Sequence, residues 1–311
     1  MTRHGSFSEF ARRFYRSYRH GKIRIGHSAL RKFLNLWLCR EQEACLRSGV
    51  RLKLDLSKGN QAGIFWYDGD ADVALTWAIR ELFPVGGIFV DCGANCGLMG
   101  LLASQYRHAR TIFIEPHPRL ARTIAANIRL NHFETNAELI EAAASDSSGE
   151  VTFYESSSGD DGTHSIHADW QEDKRVLGKV HCRTLQEIVN ERRLPQIDFL
   201  KIDTEGNDLE ALRGLAEYCR PAFTKLIYVE MTRHSEAICK LMADAGYVGF
   251  TTSDLRGRDL ARRFRDYERG GRVCFFHPAQ TTSRCGHNAL WCGKESLFAA
   301  CLRDLAVIHR T

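Results

Sequence analysis

Asp91-Cys-Gly-Ala-Asn-Cys-Gly97 is the stretch that decides how this chain reads. It follows the apolar run Gly87-Ile-Phe-Val90 and precedes a helical pattern from Leu98 to Tyr106. Its glycines therefore fall where a strand turns sharply into a helix. Gly93 allows a tight turn and a close approach to a ligand, and Gly97 lets the helix begin near the strand. In an open α/β sheet, such a turn lies at the carboxyl end of the first strand, beside the switch point where ligands bind.

Outward from this turn, apolar runs alternate with helical segments. Strands are expected at Thr111–Glu115, Ala137–Ala144, Ile197–Asp203 and Lys225–Glu230, with helices over Leu120–Leu130, Leu209–Leu215 and Ser235–Ala245. Tyr247–Thr252 and Arg272–His277 are expected to close the sheet as a hairpin-like pair. The alternation predicts an α/β, Rossmann-like domain: a mostly parallel seven-stranded sheet with helices on both faces. One insertion interrupts it. Val151–Tyr154 and Lys179–Cys182 read as strands around a polar loop, Glu155–Gly178, whose composition suits either a mobile functional segment or a plain excursion.

The turn also narrows the ligand. A dinucleotide fingerprint needs glycine where Asn95 stands, because the backbone must approach a pyrophosphate. Asp91 would repel a phosphate but attract a cation. S-adenosylmethionine has no phosphate and carries an ammonium and a sulfonium, so it suits a carboxylate and an amide better than a nicotinamide cofactor does. Glu115, ending the second strand, is placed to accept both ribose hydroxyls.

The fourth strand brings acids to the same crevice. Asp203 ends it, Glu205 follows in a turn that Gly206 permits, and Glu230 ends the fifth strand in an equivalent place. Asp203 and Glu205 are the candidate bases, with His234, His164 and His167 as alternates. The competing reading makes Asp203 or Asn207 a helix cap and Glu230 a solvated or salt-bridged surface acid. No ligand spacing demands a metal at Asp203, Glu205 and Glu230.

At these residues the chain resembles the FkbM-type methyltransferases. The resemblance rests on Val90-Asp-Cys-Gly-Ala-Asn-Cys-Gly97, Ile114-Glu-Pro-His-Pro118, Ala144-Ser-Asp146 with Gly149-Glu-Val-Thr-Phe-Tyr154, Arg183-Thr-Leu185, and Phe199-Leu-Lys-Ile-Asp-Thr-Glu-Gly206 with Leu212-Arg-Gly214. It spans roughly residues 45 to 278 and implies a class I methyltransferase fold, adenosylmethionine as cofactor, and methylation of a hydroxyl on a sugar, glycolipid or natural product. It further implies that Asp91, Gly93, Ala94, Asn95 and Gly97 hold the methionine end, with Asp203 also in the cofactor crevice. Glu115 would hold the ribose, Ala143 and Ala144 would border the adenine, and Pro116 would belong to the same cofactor site. An Arg-rich stretch (Arg256, Arg258, Arg262, Arg263, Arg265, Arg269, Arg272) and everything beyond Gln280 depart from the pattern. Both bear on the acceptor. The arginines read as a solvated helix or as a site for an acidic acceptor.

The division expected is a basic helical extension over 1–45, the catalytic domain over 46–279, and a tail over 280–311. The first forty residues set ten basic residues, Arg3 to Arg40, against the single acid Glu9, with interleaved aromatics. It reads as a helix packed on the domain, as a basic amphipathic contact for anionic membrane, or as an imitation of a transit peptide. Eleven cysteines sit in core-like segments without a secretory leader and are expected as reduced thiols in a cytoplasmic protein. Cys274, Cys285, His287 and Cys292 match no common zinc spacing. The net charge of +5 does not itself call for nucleic acid. A nucleic-acid methyltransferase is nevertheless the nearest rival enzyme, and a non-catalytic cofactor-binding scaffold the rival of another class. The Asp203-Thr-Glu-Gly206 segment argues against the first, since amino-methylating enzymes carry an Asn/Asp-Pro-Pro-Tyr/Phe segment there. The intact acids Asp91, Glu115 and Asp203 argue against the second.

Overall fold

The computed structural model describes residues 9–12, 14, 34, 38–69, 72–156, 161–169, 174–231, 234–251, 266–267, 269–270, 275–278 and 288–308. Most of the Arg256–Arg272 cluster, and Cys274, Cys285 and His287, lie outside these residues.

In chain order the elements are β1 (Glu41–Cys45), β2 (Arg51–Asp55), α1 (Gly59–Tyr67), α2 (Val73–Glu81), β3 (Ile88–Cys92), α3 (Leu98–Arg107), β4 (Arg110–Ile114), α4 (Pro118–Leu130), β5 (Ala137–Ile140), β6 (Ala143–Ala144), β7 (Gly149–Ser156), β8 (Lys174–Arg183), α5 (Leu185–Glu191), β9 (Ile197–Ile202), α6 (Asp208–Arg213), β10 (Thr224–Val229), α7 (Ser235–Asp244), β11 (Tyr247–Thr251), β12 (His277–Pro278), β13 (Ala289–Gly293) and α8 (Leu297–Ile308). The main sheet runs β12-β11-β13-β10-β9-β3-β4-β5. β5, β4, β3, β9 and β10 pair in parallel, and β13 is inserted antiparallel between β10 and β11. This is the expected α/β sheet of seven strands, with two-residue β12 added at its edge. β3 and β9 are buried along their whole length, as strands covered on both faces must be. The chain leaves β3 toward β4 and later returns to β9 on β3's other side, so the switch point lies between β3 and β9.

Three expectations change. β13 comes from the segment expected as a tail, so the sheet reaches beyond Gln280. The hairpin partner of β11 is β13; His277–Pro278 adds only an edge pairing. Ala137–Ala144 is two strands: β5 ends the main sheet, and β6 joins β8 and β7 in a separate three-stranded sheet. The break at Glu141 lets one short apolar run serve two sheets.

The extension is described at few positions, helical at 9–12, while β1 occupies its last residues. Arg12 is buried rather than part of a basic face. It donates to the Cys45 carbonyl at 2.9 Å and the Phe65 carbonyl at 3.2 Å, and pairs with Asp68. The ribbon β1–β2 docks on α4 through asparagines one turn apart. Asn127 Oδ1 accepts the Lys53 N–H at 2.7 Å, and Asn131 Oδ1 accepts the Arg51 N–H at 2.8 Å. These amides stand in for a missing neighbouring strand. Among the described residues no helix is long and apolar enough to cross a membrane. Cys92, Cys96, Cys182 and Cys292 are buried free thiols, while Cys219 and Cys239 are half-buried.

Candidate active site

At the carboxyl ends of β3, β4, β9 and β10 the chain encloses a cavity of about 290 Å³. Gly93, Ala94, Asn95, Glu115, Pro116, Ala143, Ala144, Asp203 and Glu205 all line it. The fold thus brings nine of the candidate residues to one wall.

Asp91 and Gly97 are not on that wall. Asp91 is fully buried, and its Oδ2 accepts the Gly100 N–H at 2.9 Å inside the first turn of α3. Its Oδ1 faces Lys201 Nζ at 3.4 Å. Burial pushes the Asp91 carboxyl up, against the pull of Lys201. Gly97 packs against Phe113 and Ile124 and brings α3 close to β4. Gly93 makes the turn expected of it and has a second reason to be glycine. With φ of 72°, a Cβ there would sit 1.8 Å from the Asp203 carbonyl oxygen, so this glycine serves the contact between two strand ends.

Lys201 is one residue of the site not expected from the sequence. It stands inside the apolar strand β9, is 6% exposed and lines the cavity. Its ammonium donates to the Gly93 carbonyl at 2.8 Å and lies 3.3 Å from Asp203 Oδ2. Burial acts to lower its pKa, but Asp203 and Asp91 more than offset this and hold it charged. A lysine in the middle of Ile197-Asp-Phe-Leu-Lys-Ile202 was the available signal, because a strand buried on both faces rejects an unpaired charge.

Glu115 is tied into the turn. Its Oε2 accepts the Asn95 N–H at 2.8 Å and its Oε1 the His117 N–H at 2.9 Å. Burial nevertheless pushes its carboxyl up to about 7. Asn95 donates from Nδ2 to the Asp161 carbonyl at 2.8 Å, which leaves its Oδ1 buried without a partner. The second acidic group stands beside the cavity: carboxylate oxygens of Asp203, Glu205 and Glu230 lie within 4.8 Å of one another. Burial, then the charges of Asp203 and Glu205, push Glu230 up to about 9, so this acid keeps its proton at neutral pH. All three are half-buried, and the Asp203 side chain on the cavity wall is 41% exposed.

The insertion loop forms another wall. Asp161, Gly162, His164 and Ile166 line the cavity. The loop is fastened there by Arg119 and Gln61 on the Asp161 carboxylate, by Ser165 Oγ on the Glu205 carbonyl at 2.7 Å, and by His167 Nε2 with Asn207 Oδ1 at 3.2 Å. Burial alone would raise the Asp161 carboxyl, but its hydrogen bonds and Arg119 hold it at about 2. Residues 161–169 are therefore tethered, although their composition suits a mobile segment. His167 and His234 are not on the wall; His234 stands at the N-cap position of α7 and makes no side-chain capping bond. Tyr228, Asp72 and Asn288, which sequence reasoning did not select, line the cavity too.

Among the described residues the wall carries five carboxylates (Asp72, Glu115, Asp161, Asp203 and Glu205) against one lysine. That balance disfavours a pyrophosphate and favours a cationic ligand bringing its own donors. The orphaned Asn95 Oδ1 is one acceptor for such a donor. Ala142, Ala143, Ala144, Leu120 and Phe153 supply an apolar slot beside Glu115. This set fits adenosylmethionine, whose ammonium, ribose hydroxyls and adenine call for these three surroundings.

Comparison with known proteins agrees. The FkbM methyltransferase domain model matches residues 91–248. The chain is 26% identical over 161 residues to methyltransferase sdnD of Sordaria araneosa, covering 43% of this chain and 62% of that protein. It is 22% identical over 157 residues to hexuronic acid methyltransferase AglP of Haloferax volcanii, covering 50% and 61%. It is 27% identical over 168 residues to AMB antimetabolite synthetase AmbE of Pseudomonas aeruginosa, covering 43% and 8%. The chain thus spans less than two thirds of each of these relatives. Among solved structures, TYW2 of M. jannaschii in complex with AdoMet matches with a TM-score of 0.41 at 12% identity, covering 81% of this chain and 85% of that one.

Proposed function

The chain belongs to the FkbM methyltransferase family, and we propose that it transfers a methyl group from S-adenosylmethionine to a hydroxyl oxygen of a sugar, glycolipid or natural-product acceptor. When bound, adenosylmethionine supplies an electrophilic methyl on a sulfonium. Glu115 accepts the ribose hydroxyls beside Pro116, Ala143 and Ala144 border the adenine, and Gly93, Ala94 and Asn95 flank the methionine end. Lys201 fixes the Gly93 carbonyl and Asp203 in one arrangement. Asp91 acts from behind the wall, through Lys201 and the first turn of α3.

The observation that carries the hydroxyl reading is the Asp203, Glu205 and Glu230 group. A hydroxyl must lose its proton as its oxygen attacks the methyl carbon. Asp203 is open to the cavity and sits beside a carboxylic acid that stays protonated, so the group as a whole holds and passes a proton. A positioned base of this kind contributes about 10²–10⁴-fold, and alignment of the acceptor on the order of 7–11 kcal/mol. The name of the Haloferax relative specifies a hexuronic acid acceptor for that protein, which supports a glycan here.

Radiolabelled methyl transfer into fractionated glycans, lipids and small metabolites tests the proposal. Label in a base-stable ether, with loss of turnover in Asp203→Asn, is the expected result. Label in base-labile ester or in amine would overturn the hydroxyl reading, and label in nucleic acid would overturn the acceptor class.

A further inference from the structure

We propose that Asp72, held by Tyr228 and Asn288, is the anionic partner of the ammonium on the methionine end of adenosylmethionine. The inference rests on the cofactor reading above.

An ammonium bound out of water needs a carboxylate or an equivalent set of acceptors. Asp91, the residue that the sequence offers for this task, is turned away beneath the turn and spent on Gly100 and Lys201. The four other carboxylates on the wall are also engaged. Glu115 holds the two turn amides at the ribose side. Asp161 is paired with Arg119 and faces Lys58 at 3.8 Å. Asp203 shares Lys201 at 3.3 Å, and Glu205 stands with Asp203 and Glu230 in the proton-handling group.

Asp72 is arranged differently. Its Oδ1 accepts the Leu75 N–H at 2.9 Å and caps α2. Its Oδ2 accepts the Tyr228 hydroxyl at 2.6 Å and the Asn288 amide at 3.2 Å. Every one of these donors is neutral, and no ion pair joins Asp72 to a lysine, arginine or histidine of the described residues. Capping explains Oδ1. It does not explain why Oδ2 gathers a buried tyrosine from β10 and an asparagine beside β13 at the cavity wall. Because the Tyr228 hydroxyl donates its hydrogen bond to Asp72, its oxygen presents only lone pairs elsewhere. The result is a carboxylate and a phenolic oxygen, both acceptors, on the cavity wall that also carries the glycine turn. That is a seat for a cationic donor with several N–H groups.

The test compares ligands with and without the ammonium on the full chain. Asp72→Asn keeps the cap, since asparagine caps as well as aspartate. By calorimetric titration it is expected to weaken adenosylmethionine and S-adenosylhomocysteine by at least about tenfold. 5′-Methylthioadenosine, which lacks the amino-acid portion, should keep its affinity within about twofold, which also shows that the variant is folded. Unchanged adenosylmethionine affinity in Asp72→Asn, or equal loss for all three ligands, would overturn the inference while leaving the cofactor reading intact. A wild-type chain that binds none of the three overturns the cofactor reading and this inference with it.

Discussion

Lys201 Nζ lies 3.4 Å from Asp91 Oδ1 across the pair of adjacent strands β9 and β3, with both residues buried beneath the glycine turn. Each charge is tolerable because the other is there. Lys201→Met should therefore destabilise the chain by about 3–5 kcal/mol by leaving Asp91 unpaired. Asp91→Asn combined with Lys201→Met should restore a large part of that loss, a coupling that a double-mutant cycle in denaturant reads directly. Additive losses would mean that the two residues act independently.

Glu115 gives the cofactor site a pH dependence. Its carboxyl is pushed up to about 7 by burial, and the ionised form is the better acceptor for ribose hydroxyls. Binding should then release a proton, and affinity for adenosylmethionine should rise as pH increases through about 7. Titration between about pH 6 and about 8 checks this, with Glu115→Gln expected to bind more weakly and with a flat profile. A flat profile in the unaltered chain contradicts it.

The acid group by Asp203 should make itself felt in stability. Glu230 keeps its proton in the folded state up to about 9, whereas the unfolded chain releases it near the ordinary glutamate value. The folded state thus binds more protons in that window, so this group's contribution falls as pH rises from about 4.5 to about 9. Glu230→Gln removes the effect. Its Tm should exceed that of the parent at about pH 8 by on the order of 2–4 °C, and the difference should vanish near about pH 4. A constant difference at all pH values would show that Glu230 does not carry the proton.

Asn127 links the β1–β2 ribbon to the cofactor turn. Its Oδ1 takes the Lys53 N–H, and its Nδ2 donates to the Cys96 carbonyl at 3.0 Å. Asn127→Ala leaves both groups without partners and should cost about 1–3 kcal/mol. Hydrogen exchange should accelerate at the Lys53 amide before it does so in β9. Unchanged protection at Lys53 would remove the amide's assigned role.

Much of this was legible in the sequence, for reasons that individual residues make plain. Gly93 and Gly97 after an apolar run mark a strand-to-helix turn, and the alternation of apolar runs with helical segments prescribes a parallel sheet. β13 was not legible, because Ala289-Leu-Trp-Cys-Gly293 is a short run whose antiparallel place between β10 and β11 is fixed by pairing far along the chain. Ala137–Ala144 looked like one strand because nothing local records a change of partner. The direction of Asp91 was hidden for a related reason: β3 is buried on both faces, so its pattern does not tell which carboxylate meets the cavity. Asp72, Tyr228 and Asn288 are far apart in sequence, and only the fold brings them to one oxygen.

Calorimetric titration of the full chain reads whether this cavity binds S-adenosylmethionine. Saturable binding at one site per chain, displaced by S-adenosylhomocysteine and strongly weakened in Glu115→Ala, is the expected result. A folded chain that gives no binding isotherm with either compound would contradict it.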